Sequence, residues 1–264
     1  MKTTKMRSGH FVFAAGSPFV AAVALALVMP LVSGQDTPSD SPTDDDMFDQ
    51  RARPLFDGNS LIGWLGDGYW FHIQDDAIVA GRLEKRIPEN RFLMTREVFA
   101  DFDLRLEVRM VGPSKGPHGN NAGVQFRSRR PRADEDIPDH EMVGYQADMG
   151  SAWNRSVWGA LYDESRRRMM LAEPDPPFEV SWSESMSDPD LDTGIGGVPL
   201  LQTPWVSMRI LCEGPRTQIF MNGRRTVDYV ETDDSIAREG HIALQIHSGA
   251  PAEAWYRNVR ILMR

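Results

Sequence analysis

Three strand-like segments of this chain each carry two polar side chains, separated by one apolar residue. Because successive side chains of a β-strand point to opposite faces, both polar residues of a segment lie on the same face. These amide, carboxylate, guanidinium and imidazole groups are suited to directional hydrogen bonds with hydroxyls and carbonyls. The pairs are Gln125 with Arg127, Gln146 with Asp148, and Gln245 with His247.

A second candidate segment runs from Trp158 to Glu164 and combines aromatic rings with carboxylates. This density of side chains that stack on sugars and bind their hydroxyls exceeds what a plain β-sheet requires. We expect the segment to border the same cleft as the polar pairs, since a ligand site is a concave pocket with a few convergent polar groups. The residues concerned are Trp158, Tyr162, Asp163 and Glu164, together with Tyr145 beside Gln146.

Most of these residues also have a plainer interpretation. Arg127 pairs equally well with Glu107 or Asp148 across neighbouring strands. His247 is more often a structural histidine when it stands alone. The aromatic residues suit the core or loop anchors, and Asp163 suits a turn. Their convergence near one predicted cleft favours the functional interpretation.

Several common catalytic signatures are missing from the sequence. It contains no Gly-rich phosphate loop, no His-Glu-x-x-His and no Gly-x-Ser-x-Gly. It also has no Glu-x-Asp-x-Glu on a strand, so Asp148 is isolated on its segment. Glu107, Asp163 or Glu164 could supply a second carboxylate, although no spacing requires a two-carboxylate glycosidase.

Short strand patterns predict the elements that position these groups. Residues 102–110 alternate strictly between apolar and polar side chains. Asn222-Gly223 lies between two further strand patterns and is a strong hairpin signal. Many short strands of this kind predict an all-β fold, an antiparallel β-sandwich that begins at residue 54 and extends to residue 264.

The first 53 residues differ from the rest of the chain. Residues 1–34 combine a basic start with a long uncharged apolar run, which predicts a signal peptide cleaved near Gly34 and Gln35. An uncleaved membrane anchor is the alternative, because the run is almost long enough to span a bilayer. Residues 35–53 are acidic and proline-bearing, which predicts a disordered linker. We expect a periplasmic or secreted protein that has no membrane contact after cleavage.

Charge and cysteine content restrict the remaining classes. The formal net charge is −9 and becomes −12 without the three cations of residues 1–34. This balance disfavours nucleic acid as a partner and suits a neutral ligand such as a sugar. Cys212 is the only cysteine, so the chain has no intramolecular disulfide, and its strand-like surroundings indicate a buried small side chain.

Several segments, taken in order, resemble the secreted bacterial 3-keto-disaccharide hydrolase domain family. They are Pro54-Leu-Phe-Asp-Gly-Asn-Ser-Leu-Ile-Gly-Trp64, Gly144-Tyr-Gln-Ala-Asp-Met-Gly150, Trp158-Gly-Ala-Leu-Tyr-Asp-Glu164, Gly240-His-Ile-Ala-Leu-Gln-Ile-His247 and Trp255-Tyr-Arg-Asn-Val-Arg-Ile261. The resemblance implies a concanavalin A-like, jelly-roll sandwich of the lectin and glucanase type. It also implies that the polar strands are neighbours on one concave sheet. Family members often have Tyr-Glu where this chain has Tyr145-Gln146.

The resemblance implies an exported enzyme that cleaves 3-keto-glycosides by elimination and hydration, or by hydrolysis. Asp148 or His247 would act as the base and Arg127 would stabilise the enolate. No cofactor is required, and a divalent ion held by Asp148, His247 or Glu107 is left open. The alternative is a non-catalytic, lectin-like module that uses the same face, with Trp158, Tyr162 and Trp64 as stacking surfaces. The expected substrate-binding residues are Glu107, Gln125, Tyr145, Gln146, Trp158, Tyr162, Asp163, Glu164 and Gln245.

Overall fold

Short β-strands make up most of the described chain. A computed structural model of the protein describes residues 43–113, 120–184 and 200–264. The predicted signal peptide and the first part of the predicted linker lie outside these residues. The described elements are α1 (Asp44–Arg51), β1 (Arg53–Pro54), β2 (Trp64–Leu65), β3 (Phe71–Gln74), β4 (Ala77–Arg82), β5 (Arg91–Phe99), β6 (Phe102–Pro113), β7 (Asn121–Arg129), β8 (Val143–Ala152), β9 (Arg155–Ser156), β10 (Leu161–Glu164), β11 (Met169–Ala172), β12 (Ser183–Glu184), β13 (Leu200–Gln202), β14 (Val206–Glu213), β15 (Arg216–Met221), β16 (Arg224–Val230), β17 (Gly240–Ile246) and β18 (Ala252–Met263).

The strands form two antiparallel sheets. The first sheet has the order β16-β15-β14-β6-β18-β4-β3, with β1, β12 and β13 attached beside this path. The second sheet has the order β11-β10-β8-β7-β17-β5-β2, with β9 paired to β8. Several neighbours, such as β6 with β18 and β7 with β17, are distant in sequence, as expected of a jelly roll. No helix among the described residues is long and apolar enough to cross a membrane.

The main hydrophobic core lies between the sheets. The alternating residues of β6 bury Phe102, Leu104 and Val108, as the sequence predicts. Met221 and Arg224 pair on either side of the Asn222-Gly223 turn, which closes the predicted hairpin. Every strand pair is antiparallel, so the prediction of an all-β, jelly-roll sandwich is confirmed.

Tyr256 connects the two sheets directly beneath the polar strands. Its ring is fully buried on β18 of the first sheet. Its hydroxyl lies 2.6 Å from the carbonyl oxygen of Gln245 and 3.2 Å from that of Gly123, both in the second sheet. The hydroxyl therefore holds β7 and β17 together from the core side, at the paired residues Gly123 and Gln245.

The acidic segment before the sandwich is a helix, so the prediction of a disordered linker is wrong for residues 44–51. Thr43 and Asp46 form a capping box that begins α1. Phe48 is buried, and the guanidinium of Arg105 lies 4.0 Å from the centre of its ring. A segment of this composition cannot fold alone, but the sandwich supplies the apolar and basic partners that it lacks.

Three aspartates of α1 pair with arginines on the outer face of the first sheet. Asp44 accepts from Arg209 at 2.7 Å and from Arg264 at 2.9 Å. Beneath them the fully buried Asp103 binds Arg209, Arg264 and Arg105. Because Asp103 alone faces these three arginines, excess positive charge remains and attracts the acidic helix. The other helix contacts are Asp45 with Arg105 and Asp49 with Arg260.

We predict that this helix stabilises the sandwich through charge. The combined substitution D44N, D45N and D49N should lower the melting temperature at low ionic strength, because the arginines lose their partners. The difference from the wild type should shrink in high salt, where exposed ion pairs are screened. The control is D234N, which removes an exposed aspartate paired only with Arg238. Equal melting temperatures at low salt would contradict the helix contacts.

Candidate functional site

An open pocket lies on the face of the second sheet that is turned away from the core. The pocket is small and opens to solvent, with a cavity volume of about 120 Å³. β7, β8, β10 and the end of β17 contribute its walls. The lining residues are Asn121, Gln146, Asp148, Ser151, Ala152, Trp153, Tyr162, Glu164 and His247.

Strand register explains why the predicted polar residues meet. Gly123 is paired with Asp148 on one side and with Gln245 on the other, so the two side chains flank a glycine. Gln146 is paired with both Gln125 and Tyr162. Side chains paired across antiparallel strands share a face. Gln125, Gln146, Asp148, Gln245 and Tyr162 therefore lie on one face, as the sequence predicts.

Gly123 leaves the space that the Gln146 side chain occupies. A Cβ atom at residue 123 would lie 2.6 Å from the Cγ and Cδ atoms of Gln146. With only a hydrogen there, Gln146 folds back along its strand, and its Nε2 donates to Asp148 Oδ1 at 2.7 Å. The same amide accepts from Gln125 Nε2 at 2.9 Å through its oxygen. Gln146 thus connects a buried amide to the Asp148 carboxyl.

Asp148 is a buried carboxyl group with a strongly perturbed proton affinity. Only 4% of the residue is exposed. Burial raises the pKa of Asp148 well above its usual range, and the nearby Glu164 and Glu173 raise it further. The hydrogen bond from Gln146 acts in the opposite direction and favours the ionised form. Asp148 therefore holds a proton more readily than an exposed carboxyl group does, which suits a candidate acid–base group.

Glu164 is a second perturbed carboxyl group in the pocket. Burial and the charge of Glu141 raise its pKa to about 7. Its Oε2 lies 3.4 Å from Gln245 Nε2, a weak hydrogen bond that favours the charged form. Gln245 is fully buried, and its Oε1 has no hydrogen-bond partner among the described residues. Gln245 and Gln125 share the outward face but do not line the pocket, so the predicted substrate contacts of these two residues are not seen there.

His247 lies at the end of β17 and contributes an imidazole to the pocket. Its Nδ1 is 2.7 Å from the carbonyl oxygen of Ser248, which can only accept a hydrogen bond. In the neutral ring Nδ1 therefore carries the proton and Nε2 carries the lone pair. His247 can accept a proton or a ligand hydroxyl at Nε2.

An aromatic wall borders the pocket, and sequence reasoning missed its most exposed member. Trp153 is 56% exposed, and its ring centre lies 6.2 Å from that of Tyr162. Trp153 and Asn154 both have positive φ and form the two-residue turn between β8 and β9. A bulky residue is strained in this conformation, which directs attention to function. The signal was a tryptophan within the otherwise polar or small run Ser151-Ala-Trp-Asn-Arg-Ser156.

Asn121 and Ser151 are the other lining residues that the sequence analysis missed. Asn121 begins β7, and its carbonyl oxygen accepts from the backbone N–H of His247 at 3.1 Å. Ser151 is near the end of β8. On β8 the outward positions after Asp148 are Gly150 and Ala152, so the alternation of side chains does not mark Ser151. No polar pattern in the sequence marks Asn121 either.

Arg127 does not lie in the pocket, so the prediction that it shares the cleft is wrong. The pairing of β7 with β8 shifts between Phe126 and Arg129, and Arg127 has a φ of 48°. This bulge inserts one residue, and Ser128 takes the outward position instead. The Arg127 guanidinium donates to the carbonyl oxygens of Ala100 and Gly214 and to Asp101. These bonds join the turns at one end of the sandwich.

Tyr145 and Asp163 lie on the core side of the second sheet, so placing them in the cleft is also wrong. They are paired across β8 and β10, one residue out of phase with Gln146 and Tyr162. The Tyr145 hydroxyl donates to Glu231 at 2.5 Å. Asp163 is fully buried and forms ion pairs with Arg166 and Arg167. This cluster connects the sheets beside the pocket.

The remaining predicted contacts also lie outside the pocket. Trp158 and Trp64 are buried in the core, which is where large aromatic side chains bury the most apolar surface. Glu107 lies on the first sheet and binds Arg257 and Asn258. Asp148, His247 and Glu107 therefore do not form a common ligand set. Among the described residues, no group of three His, Cys, Asp or Glu side chains is placed to hold a metal ion.

The fold and the pocket define a lectin- or glucanase-like β-sandwich with a polar site on one sheet. The sequence profile of the 3-keto-alpha-glucoside-1,2-lyase-like domain matches residues 51–262. The chain belongs to this family, which confirms the resemblance and makes it a carbohydrate-related protein. No curated protein sequence matches the chain.

Solved structures of similar shape are distant in sequence. The carbohydrate-binding module CBM66 from Bacillus subtilis has a TM-score of 0.46 at 15% identity, over 75% of this chain and 93% of its own. A protein of unknown function with a galectin-like fold, also from Bacillus subtilis, has a TM-score of 0.46 at 14% identity, over 81% and 96%. The exoplasmic/lumenal domain of VIP36, in its Ca2+/Man3GlcNAc-bound form, has a TM-score of 0.48 at 10% identity, over 76% and 84%.

The raised pKa of Glu164 predicts a pH-dependent cost to stability. Between the ordinary value near 4.5 and the folded value of about 7, the folded protein binds more protons than the unfolded chain. Stability therefore falls as pH rises through this window and stays lower above it. E164Q should remove up to about 3 kcal/mol of this fall. Urea unfolding of both proteins at pH 4.5 and 8 measures the difference, and parallel pH dependences would contradict it.

Proposed function

We propose that the protein is an exported enzyme that cleaves the glycosidic bond of 3-keto-glycosides by elimination followed by hydration. The observation that carries the proposal is the pair of carboxyl groups with raised pKa values, the buried Asp148 and the half-buried Glu164, in one open pocket with the imidazole of His247. Family membership supports the substrate class. The apolar, uncharged run within residues 1–34 supports export.

The first half of the reaction is a proton abstraction beside a ketone. A carbonyl at C3 of the sugar makes the C2 proton acidic, and Asp148 removes it in the ionised form that the hydrogen bond from Gln146 favours. The electron pair first forms the enolate and then the C1–C2 double bond, while the bond from C1 to the aglycone oxygen breaks. Glu164, which has a pKa of about 7, donates its proton to the departing oxygen. The products are an unsaturated keto sugar and the free alcohol.

The second half of the reaction uses the same two carboxyl groups with their protons exchanged. Glu164 is now a carboxylate and takes a proton from water as the oxygen of that water bonds to C1. Asp148 returns its proton to C2, so the net change is hydrolysis and both groups regain their first state. Burial also raises the pKa of Tyr162, so its phenol stays protonated and can donate to the developing enolate oxygen.

A glycan-binding module is the second candidate. Trp153 and Tyr162 present an exposed aromatic wall beside polar groups, an arrangement that suits stacking against a sugar ring. This function needs no proton transfer, so it does not explain why two carboxyl groups with raised pKa values share the pocket. A turnover assay therefore distinguishes the enzyme from the glycan-binding module, whereas a binding assay does not.

The direct test compares glucosides that carry a ketone at C3 with their unoxidised counterparts. The mature protein should release the aglycone only from the oxidised substrates, because without the ketone the C2 proton is not acidic enough. D148N should retain binding and lose roughly 10²–10⁴-fold in rate. Equal rates on both substrates would replace elimination with ordinary hydrolysis. Binding by calorimetry without turnover on either would establish the glycan-binding module.

The role of Glu164 predicts a dependence on the leaving group. E164Q cannot protonate the departing oxygen, so it should strongly slow the release of an alkyl or sugar alcohol. Release of 4-nitrophenol should be much less affected, because a nitrophenolate needs no proton to leave. D148N is the matched control, since it should slow both substrates to a similar extent. A uniform loss with E164Q would assign the general acid to another group.

A further inference from the structure

Asp148 is the last member of a chain of four buried hydrogen-bonding residues. Ser128 Oγ lies 2.7 Å from Gln125 Oε1, Gln125 Nε2 lies 2.9 Å from Gln146 Oε1, and Gln146 Nε2 lies 2.7 Å from Asp148 Oδ1. Ser128 and Gln125 are fully buried, and Gln146 is 2% exposed. Every donor in the chain points toward Asp148, which suits an ionised carboxylate.

The hydroxyl at the far end of this chain has a second acceptor within reach. Ser128 Oγ is also 2.9 Å from the carbonyl oxygen of Phe126. A serine hydroxyl rotates freely and both donates and accepts, while a glutamine amide turned by half a rotation keeps nearly the same shape. The chain can therefore run in the opposite direction. Gln125 Nε2 would then donate to Ser128, and Ser128 would donate to Phe126.

We propose that Ser128, Gln125 and Gln146 form a reversible relay that keeps Asp148 hydrogen-bonded in both of its protonation states. When Asp148 accepts a proton on Oδ1, its hydroxyl donates to Gln146 Oε1. Both amides rotate, Gln146 Nε2 donates to Gln125 Oε1, and the Ser128 hydroxyl moves to the Phe126 carbonyl. Apart from the bond to the transferred proton, no covalent bond breaks, and only hydrogen bonds and side-chain torsions change. Gln125, Gln146 and Ser128 are positioning residues in this account.

A buried acid–base group benefits from such a relay. An unpaired buried polar atom costs free energy, and a fixed donor would impose that cost in one half of each catalytic cycle. The relay avoids this cost, since the proposed function returns Asp148 to each protonation state once per turnover. Other charged or titratable groups that face Asp148 are Glu164 and Tyr162 from β10, Glu173 after β11 and His247 after β17.

Side-chain amide NMR tests the relay without requiring turnover. Gln125 does not touch Asp148, yet its amide signals should change with the same pH midpoint as the labelled Asp148 carboxyl. The change should disappear in D148N and persist in E164Q with a shifted midpoint, because Glu164 affects Asp148 only through its charge. Gln125 signals that stay constant while Asp148 titrates, or that still change in D148N, would overturn the relay.

A kinetic variant separates the relay from the proposed function. Q125M interrupts the chain with a side chain of similar length, and should lower kcat roughly tenfold with little change in KM, since the substrate pocket keeps its lining. If 3-keto-glycosides are not turned over at all, the proposed function fails while the NMR result still decides the relay. If Q125M retains full kcat in an active enzyme, the relay has no part in catalysis.

Discussion

One buried carboxyl group, Asp148, and one half-buried carboxyl group, Glu164, on the outer face of one sheet impose the main constraint on this protein. A buried carboxylate loses its hydration, so the chain must supply hydrogen bonds or the group must hold a proton. Asp148 and Glu164 each receive a hydrogen bond from a glutamine amide, and both have raised pKa values despite it. Both groups therefore hold a proton more readily than exposed carboxyl groups do.

The sandwich supplies the rigidity that this arrangement requires. Tyr256 crosses the core and fixes the carbonyl oxygens of Gly123 and Gln245 from behind. Arg127 joins the turns at one end, and the ion cluster around Glu231 joins the sheets beside the pocket. Arg127, which the sequence suggested for catalysis, therefore stabilises the fold instead. The second sheet can hold its outward polar side chains at fixed separations because its core side is so well anchored.

Periodicity in the sequence predicts much of the fold and part of the pocket. Strict alternation of apolar and polar residues predicts β6, and Asn222-Gly223 predicts the hairpin. The spacing of two residues predicts that Gln146 and Asp148 share a face. The pattern fails where the period changes. A bulge at Arg127 reverses which residue faces outward, and no feature of the local sequence marks it. Trp158 and Asp163 fail for a related reason, because aromatic and acidic residues on a short strand do not reveal which face is buried.

The acidic segment shows a different limit. Residues 44–51 have a composition typical of disorder, and their helix depends on arginines up to 220 positions away in the chain. Composition describes what a segment can do alone, whereas the sandwich provides partners that a single-segment argument cannot include. The exposed Trp153 in its strained turn was similarly hidden, because its importance arises from the adjacent pocket.

Cleavage by elimination requires that a proton at C2 of the sugar is removed. The most direct measurement compares a 3-keto-glucoside that carries hydrogen at C2 with the same compound carrying deuterium there, in a single-turnover assay of aglycone release. If elimination occurs, the deuterated substrate reacts several-fold more slowly in the wild type. Equal rates for the two substrates, with the ketone present and the aglycone released in one turnover, would contradict it, because direct hydrolysis leaves the C2 bond intact.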